Sequence, residues 1–470
     1  MACQALPPCG VAERSRSPRL LWRLSLTKEV CVELFVVGAG YVGLTTAVGF
    51  AQLGHRVTVH DIDAGRIESL QAGRVPIFEP GLEDALHQEQ ARGRLAFTTD
   101  ATPGPAVQMA VVCVPTPIGR DGLLDMSIVE DVVGRLAAVL APDRMIVVRS
   151  TLPLGGPDRL ERPAGGRPDS DRPAIVVNPE FMAEGRALAD FAAPSRVAIG
   201  YLSARDREAA ARLADLYAPL NAPLIVADAR SVVLVKLASN VFLGLKIAFA
   251  NELARLCDAT GADVAVVADG LGFDPRIGRA FLNSGPGFGG SCLPEQAAAI
   301  AVETARCDVE APLLSAIATS NTTHQQELVS TVERLLPRGL RQTKIALLGL
   351  AFKANTDDVR HSPALTVARG LRARGAKVVG YDPVANATAQ GADPELETAA
   401  SAAEAIDGSD AVVVATEWPE FASLDWPALA TTMRGDLVYD TRRTVAPDAV
   451  TAAGLRYVGL GRAGVPATPR

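Results

Sequence analysis

Apolar residues in this chain fall into short, nearly unbroken runs set between small-residue and polar stretches. Leu34 to Val37 is one such run and Val57 to His60 another, with a small-residue stretch of helical length between them. AVVCVPTP (110–117), MIVVRST (145–151) and AIVVNPEF (174–181) follow. Runs without alternation are what strands buried on both faces of a parallel sheet require. From about 215 to 325 the texture changes. VVLVKLASNVFLGLKIAFANELARLCDATGADVAVVADGL spaces its apolar residues at helical intervals, which predicts one long helix and then a shorter one. At Lys344 the first pattern returns as strand, glycine-bearing turn, helix and strand, and AVVVAT (411–416) and LVYDTR (437–442) extend it.

The pattern predicts an α/β protein: two Rossmann-like, doubly wound parallel-sheet domains joined by a long central helix. The expected boundaries are 33–214, 215–325 and 335–460. Residues 1–32 are prolyl and Arg-rich and lack an uninterrupted apolar core, so they read as a disordered extension or a misplaced start rather than a secretory signal. Residues 155–173 read as a solvated loop and 461–470 as a loose tail.

Composition narrows the function. A net charge of −7 and a pI near 5.5 give no basic face for nucleic acid or an anionic membrane. Seven cysteines without a C-x-x-C pair fit a reduced, cytoplasmic protein and no metal site. No apolar run approaches the roughly 18 residues of a membrane span.

The first strand runs into Gly38-x-Gly40-x-x-Gly43, and Asp61 closes the second strand 18 residues after Gly43. Gly38 permits the tight turn, Gly40 admits a pyrophosphate and Gly43 lets the helix pack on the strand. Tyr41 and Val42 lie inside this fingerprint. Asp61 is placed to accept from adenosine ribose hydroxyls and to repel a 2′-phosphate, so NAD is the expected cofactor. In open α/β sheets ligands bind beyond the carboxyl ends of the strands, which makes Thr116, Thr151 and Glu180 pocket candidates. Lys236 and Asn240 are four residues apart and share one helical face.

GPGFGGSCLPEQAAAI (285–300) places Cys292 in a bare glycine loop two residues before Pro294, at the start of a helix. A helix N-terminus favours a thiolate, and flanking glycines let a substrate carbon reach the sulfur. Cys113 and Cys257 lie inside apolar runs and read as small core residues. A nucleophilic cysteine beside NAD suggests aldehyde oxidation through a thioester, with Lys236 and Asn240 donating to the oxygen that becomes anionic.

VVGAGYVGLTTAVGFAQLGHRVTVHDID, PIFEPGLED, NPEFMAEG, KLASNVFLGLKIAFANE, FDPRIG, GPGFGGSC and GLAFKANTDDVRHSPA resemble, in order, signature segments of the UDP-glucose/GDP-mannose dehydrogenase family, over about residues 33–460. The resemblance implies an NAD-binding first domain, a central helix that forms a homodimer and a last domain that binds the nucleotide. It implies oxidation of the C6 alcohol of a nucleotide-linked hexose to a carboxylate, with two NAD consumed per sugar. Carried over residue by residue, Cys292 is the nucleophile, Lys236 and Asn240 hold the oxyanion, and Thr151 and Glu180 manage a water and its proton. Glu184, Arg360, Arg66 and Thr116 join the NAD contacts. Lys353, Arg442, Phe181, Phe288 and Gly289 join the substrate contacts, with Arg276 reaching in from a partner subunit. Ser291, where members acting on N-acetylamino sugars commonly carry His, points to a glucose-type substrate, UDP-glucose first and dTDP-glucose or another nucleotide hexose as the alternative.

Two departures stand out. The pattern after the cysteine is typically x-x-Lys-Asp, but this chain has Glu295 and Gln296, and Arg360-His361 replaces the usual Arg-Glu. Gln296 can orient a water but cannot take its proton. Two rivals therefore stay open: a two-electron hydroxyacid-type dehydrogenase, which has no use for Cys292, and a degenerate homologue that binds nucleotide sugar with impaired hydrolysis.

Overall fold

The computed structural model describes residues 31–161 and 171–462. The extension before Cys31, the middle of the 155–173 loop and the tail after Arg462 lie outside the described residues. Eight strands form the first sheet: β1 (Glu33–Val37), β2 (Arg56–His60), β3 (Leu95–Thr98), β4 (Met109–Val112), β5 (Met145–Val148), β6 (Ala174–Val177), β7 (Val197–Tyr201) and β8 (Leu224–Asp228). Their order is 3-2-1-4-5-6-7-8, and every pairing is parallel except β6 with β7. The order reverses between β1 and β4, which opens a crevice at their carboxyl ends. The second sheet runs β11-β10-β9-β12-β13-β14, all parallel, from β9 (Lys344–Leu348), β10 (Lys377–Tyr381), β11 (Glu397–Thr398), β12 (Ala411–Val414), β13 (Leu437–Asp440) and β14 (Arg456–Gly459).

The strands are shorter than their apolar runs. β4 stops at Val112 because Pro115 and Pro117 have no N–H for a ladder, and β6 stops before Pro179. Thr116, Thr151 and Glu180 therefore stand on loops beyond the sheet. β3, β8, β11 and β14 lie at or next to sheet edges and are half-exposed or very short, so their signal is faint. The first sheet reaches Asp228, past residue 214.

Asp228 also caps the central helix (Ala229–Thr260), its carboxylate accepting from Ser231 N at 2.9 Å. Gly261 ends that helix in the left-handed region at φ +80°. The shorter helix follows at Val264–Gly272. By length and composition the central helix could cross a membrane, which the sequence reading excluded for any run. Here it packs on β7, on the helix that starts at the reactive-loop cysteine (Cys292–Arg306), and on a long helix, Pro312–Leu335, that the sequence reading lacks. Ala254 and Cys257 of the central helix and Leu328, Val329 and Val332 of Pro312–Leu335 enter one core with Ile345 and Leu347 of β9. The central helices thus complete the core of the second sheet.

Candidate active site

The fingerprint behaves as its spacing requires. A Cβ on Gly43 would lie 1.8 Å from the Gly38 carbonyl oxygen, so only glycine lets the helix Tyr41–Gln52 sit this close to its strand. Around Gly40 a Cβ would meet nothing within 4 Å. That open face, at the N-terminus of a 12-residue helix, is where a pyrophosphate fits. Asp61 directly follows β2, with Ala39 N on Oδ2 at 2.7 Å and Asp63 N on Oδ1 at 2.9 Å, while Arg66 pairs with it at 3.1 Å. Burial pushes its carboxyl up, but these donors outweigh it and hold Asp61 below the usual carboxylate range. The Tyr41 hydroxyl is committed elsewhere. It bonds Glu79 and accepts from Gly185 N at 2.7 Å. Glu79 also takes Gly185 N and Ala187 N, each at 2.7 Å, which fastens the 183–187 loop. Glu79 lies in the PIFEPGLED motif, whose sequence alone carries no signal of this long-range contact.

The 180–185 loop meets the central helix through one buried ion pair. Lys236 Nζ lies 2.7 Å from Glu180 Oε1, both side chains being under a tenth exposed. Glu180 Oε2 accepts from Met182 N at 2.6 Å. Burial raises the Glu180 carboxyl, but Lys236, the Met182 N–H and the more distant Arg149 charge together bring it below its ordinary value. Asn240, one turn on from Lys236, is buried on the same side of the helix. Phe181 stacks under Arg196, with its ring centroid 3.8 Å from the guanidinium carbon.

Cys292 is the first residue of its helix, and its Sγ is 3.6 Å from Ser291 Oγ. The residue is open to solvent, yet its sulfur is surrounded by the cleft. The helix terminus was expected to depress the thiol. Instead desolvation raises it, and the nearby Lys236 charge offsets this only in part. Burial thus favours the protonated thiol at Cys292.

The glycine loop before it is pinned by side chains of two helices. Gly285 N donates to Asn251 Oδ1 at 2.8 Å, and the neutral His324, pushed down to about 4 by burial, bonds the Gly285 carbonyl at 2.7 Å. Asn321 accepts from Phe288 N at 2.9 Å and donates to Phe288 O at 3.0 Å. Phe288 was expected to touch substrate. Its ring is instead packed with Val241, Ala248 and Ile317, so it anchors the loop. Gly287 adopts φ +121°, and a Cβ on Gly289 would lie 2.7 Å from His361 O.

The last domain closes against both. Arg360 binds Asp358 in bidentate fashion and reaches Glu184 at 3.2 Å. Burial and the Asp358 carboxylate push Glu184 up despite Arg360. The two departures from the family pattern meet: His361 Nε2 is 3.7 Å from Glu295 Oε1, and burial raises the Glu295 carboxyl against that pull. Gln296 is buried and its Oε1 has no hydrogen-bond partner among the described residues. Arg442 lies over Gly285, held by Ala415 O, Phe352 O and Glu417. Lys353 is partly enclosed, and burial lowers its ammonium while Glu184 and Glu417 oppose. Arg276 is not in this cleft. It is 87% exposed and paired with Asp274.

A dinucleotide fold with a cysteine at a helix start and a Lys–Glu pair beside it is the architecture of a cofactor-dependent dehydrogenase. Family models match three consecutive parts of the chain: the NAD binding domain of the UDP-glucose/GDP-mannose dehydrogenase family at residues 32–221, its central domain at 230–323 and its UDP binding domain at 346–447. The chain belongs to the UDP-glucose/GDP-mannose dehydrogenase family, and it is an NAD-dependent nucleotide-sugar dehydrogenase. It is 39% identical to the UDP-glucose 6-dehydrogenase of Rhizobium meliloti (strain 1021), over 92% of this chain and 100% of that one. Identity to the UDP-glucose 6-dehydrogenase of Pseudomonas aeruginosa is 37%, over 92% and 98%. The solved UDP-glucose dehydrogenase of Pyrobaculum islandicum superposes with a TM-score of 0.83 at 36% identity, over 93% and 100%.

Two of the three fingerprint glycines separate packing from binding. Gly43→Ala should lower stability by about 1–3 kcal/mol through overpacking. Gly40→Ala should stay within about 0.5 kcal/mol of the parent yet weaken NAD by roughly tenfold or more, about 1.4 kcal/mol. Denaturant midpoints and NAD titration check both. A Gly40 variant with unchanged affinity overturns the placement of the pyrophosphate.

Proposed function

We propose that this enzyme oxidises the C6 alcohol of UDP-glucose to the carboxylate in two hydride transfers, through a thioester on Cys292. The observation that carries this reading is the meeting of Cys292, the Lys236–Glu180 pair and the Arg442-braced glycine loop in one cleft. When bound, NAD supplies the hydride acceptor, and Gly40, the first turn of the Tyr41–Gln52 helix, Asp61 and Arg66 would hold it.

In this reading the alcohol gives up its O–H proton to the Lys236–Glu180 pair and its hydride from C6, becoming an aldehyde. The Cys292 sulfur then bonds to C6 while its proton passes to the former carbonyl oxygen, which Lys236 and Asn240 hold. Loss of the second hydride and of the hydroxyl proton makes the thioester. Water oriented by Thr151 adds while Glu180 takes its proton, the C–S bond breaks, and that proton passes to the leaving sulfur, restoring the thiol and freeing the acid, which ionises. Lys353 and Arg442 would bind the diphosphate.

A homodimer built on the central helix fits the exposed apolar residues Phe242, Phe249 and Leu256, which recur every seven positions on that helix. Arg276 would then serve the partner's cleft. A cytoplasmic location accords with five described cysteines that are all free thiols.

Counting NADH per sugar across a panel of UDP- and dTDP-linked hexoses tests the reading. About two per UDP-glucose are expected, against about one for a two-electron enzyme. Cys292→Ser should abolish carboxylate formation and spare NAD binding, and near-normal turnover in that variant sinks the covalent route. Because Gln296 cannot accept a proton, a burst of about two NADH per site should precede slow turnover limited by thioester hydrolysis. Glu295→Lys with Gln296→Asp should then raise the steady rate without enlarging the burst. Phe249→Asp should yield monomers in sedimentation, with weaker sugar-nucleotide binding as the partner's arginine is lost.

A further inference from the structure

Arg149, just past β5, is 5% exposed and forms no ion pair among the described residues. Its Nε donates to Thr46 Oγ1 at 2.8 Å, and its Nη1 donates to Asn178 Oδ1 at 2.8 Å and to the Tyr217 hydroxyl at 3.1 Å. The Tyr217 hydroxyl in turn donates to Asn178 Oδ1 at 2.7 Å, and Asn178 Nδ2 donates to Ala198 O at 2.8 Å. All these acceptors are neutral. A buried cation without a counter-ion costs several kcal/mol, and an arginine keeps its charge in proteins. Neutral packing could have been had from methionine or glutamine. The charge needs a purpose.

The nearest use lies two residues beyond Asn178. Arg149 and Glu180 border the same small cavity, with Arg196, Asp190 and Tyr217 around it. Glu180 faces Lys236 from the central helix, Cys292 from the cysteine helix and the neutral Cys113 from the loop after β4. Lys236 is bonded to only one of its oxygens. We propose that Arg149 is a positioning residue for hydrolysis: its buried charge keeps Glu180 ionised from behind, and its Nη1 bond to Asn178 fixes the turn that aims Glu180. Arg149 touches no reacting atom and acts only through Glu180. The proposal rests on Glu180 as the hydrolytic base.

The sign follows from the base role. The ionised carboxylate is the active form, so the rate falls as pH drops through its pKa. Removing a positive charge raises that pKa, and the fall should begin at higher pH. Arg149→Gln and Arg149→Met should each move the acid limb of kcat upward by roughly one pH unit, with KM for NAD unchanged. Arg149→Lys keeps the charge and should return the limb to its original position. Equal loss at every pH, with the limb unmoved, overturns the proposal. So does a case in which neither neutral variant folds while Arg149→Lys does, since the charge would then be structural. Glu180→Gln separates the premise. It should erase the limb and slow hydrolysis roughly 10²–10⁴-fold. If the limb persists there, Glu180 is not the base, whatever the Arg149 variants do.

Discussion

The buried pair Lys236–Glu180 is the constraint around which the site is arranged. It ties the loop after β6 to the central helix, and the same helix then carries Asn240 and Asn251. Neither charge could be kept alone at this depth, because removing one partner of a buried pair leaves an uncompensated ion and typically costs 3–5 kcal/mol. The Met182 N–H satisfies the oxygen that Lys236 leaves free. The thiol of Cys292 shares the field of both: burial raises its pKa, Lys236 lowers it and Glu180 raises it.

Much of this was legible in the sequence because it follows from local chemistry. Three glycines at fixed spacing, an acid at the end of the second strand and a cysteine in a bare loop each require a particular backbone. The Lys236–Asn240 spacing is a property of helices and needs no tertiary knowledge. What escaped was tertiary. Asn321 and His324 hold the glycine loop from a helix more than thirty residues downstream; only polar residues on an otherwise apolar helical face could have hinted at them. Glu79 caps a loop over a hundred residues away. Phe288 looks like a ligand contact in the loop and becomes core once the central helix packs beneath it.

The departures at 295 and 361 illustrate the same limit. Read singly, each looks like a lost catalytic or binding group. Packed, they are an acid and a histidine facing each other across the seam between the cysteine helix and the last domain. The seam is further held by Gly290 N on Arg360 O at 2.9 Å and by Arg360 on Glu184. The last domain therefore does more than carry nucleotide contacts: its 358–361 loop shapes the wall behind Cys292.

The elevated proton affinity of Cys292 has a consequence outside turnover. Peroxides and electrophiles attack thiolates, and a solvent-open cysteine with a low pKa is the usual casualty. Here the sulfur is reachable but kept protonated by the desolvated cleft. In the free enzyme the same burial therefore favours the protonated form of this sulfur, which reacts more slowly with oxidants than a thiolate.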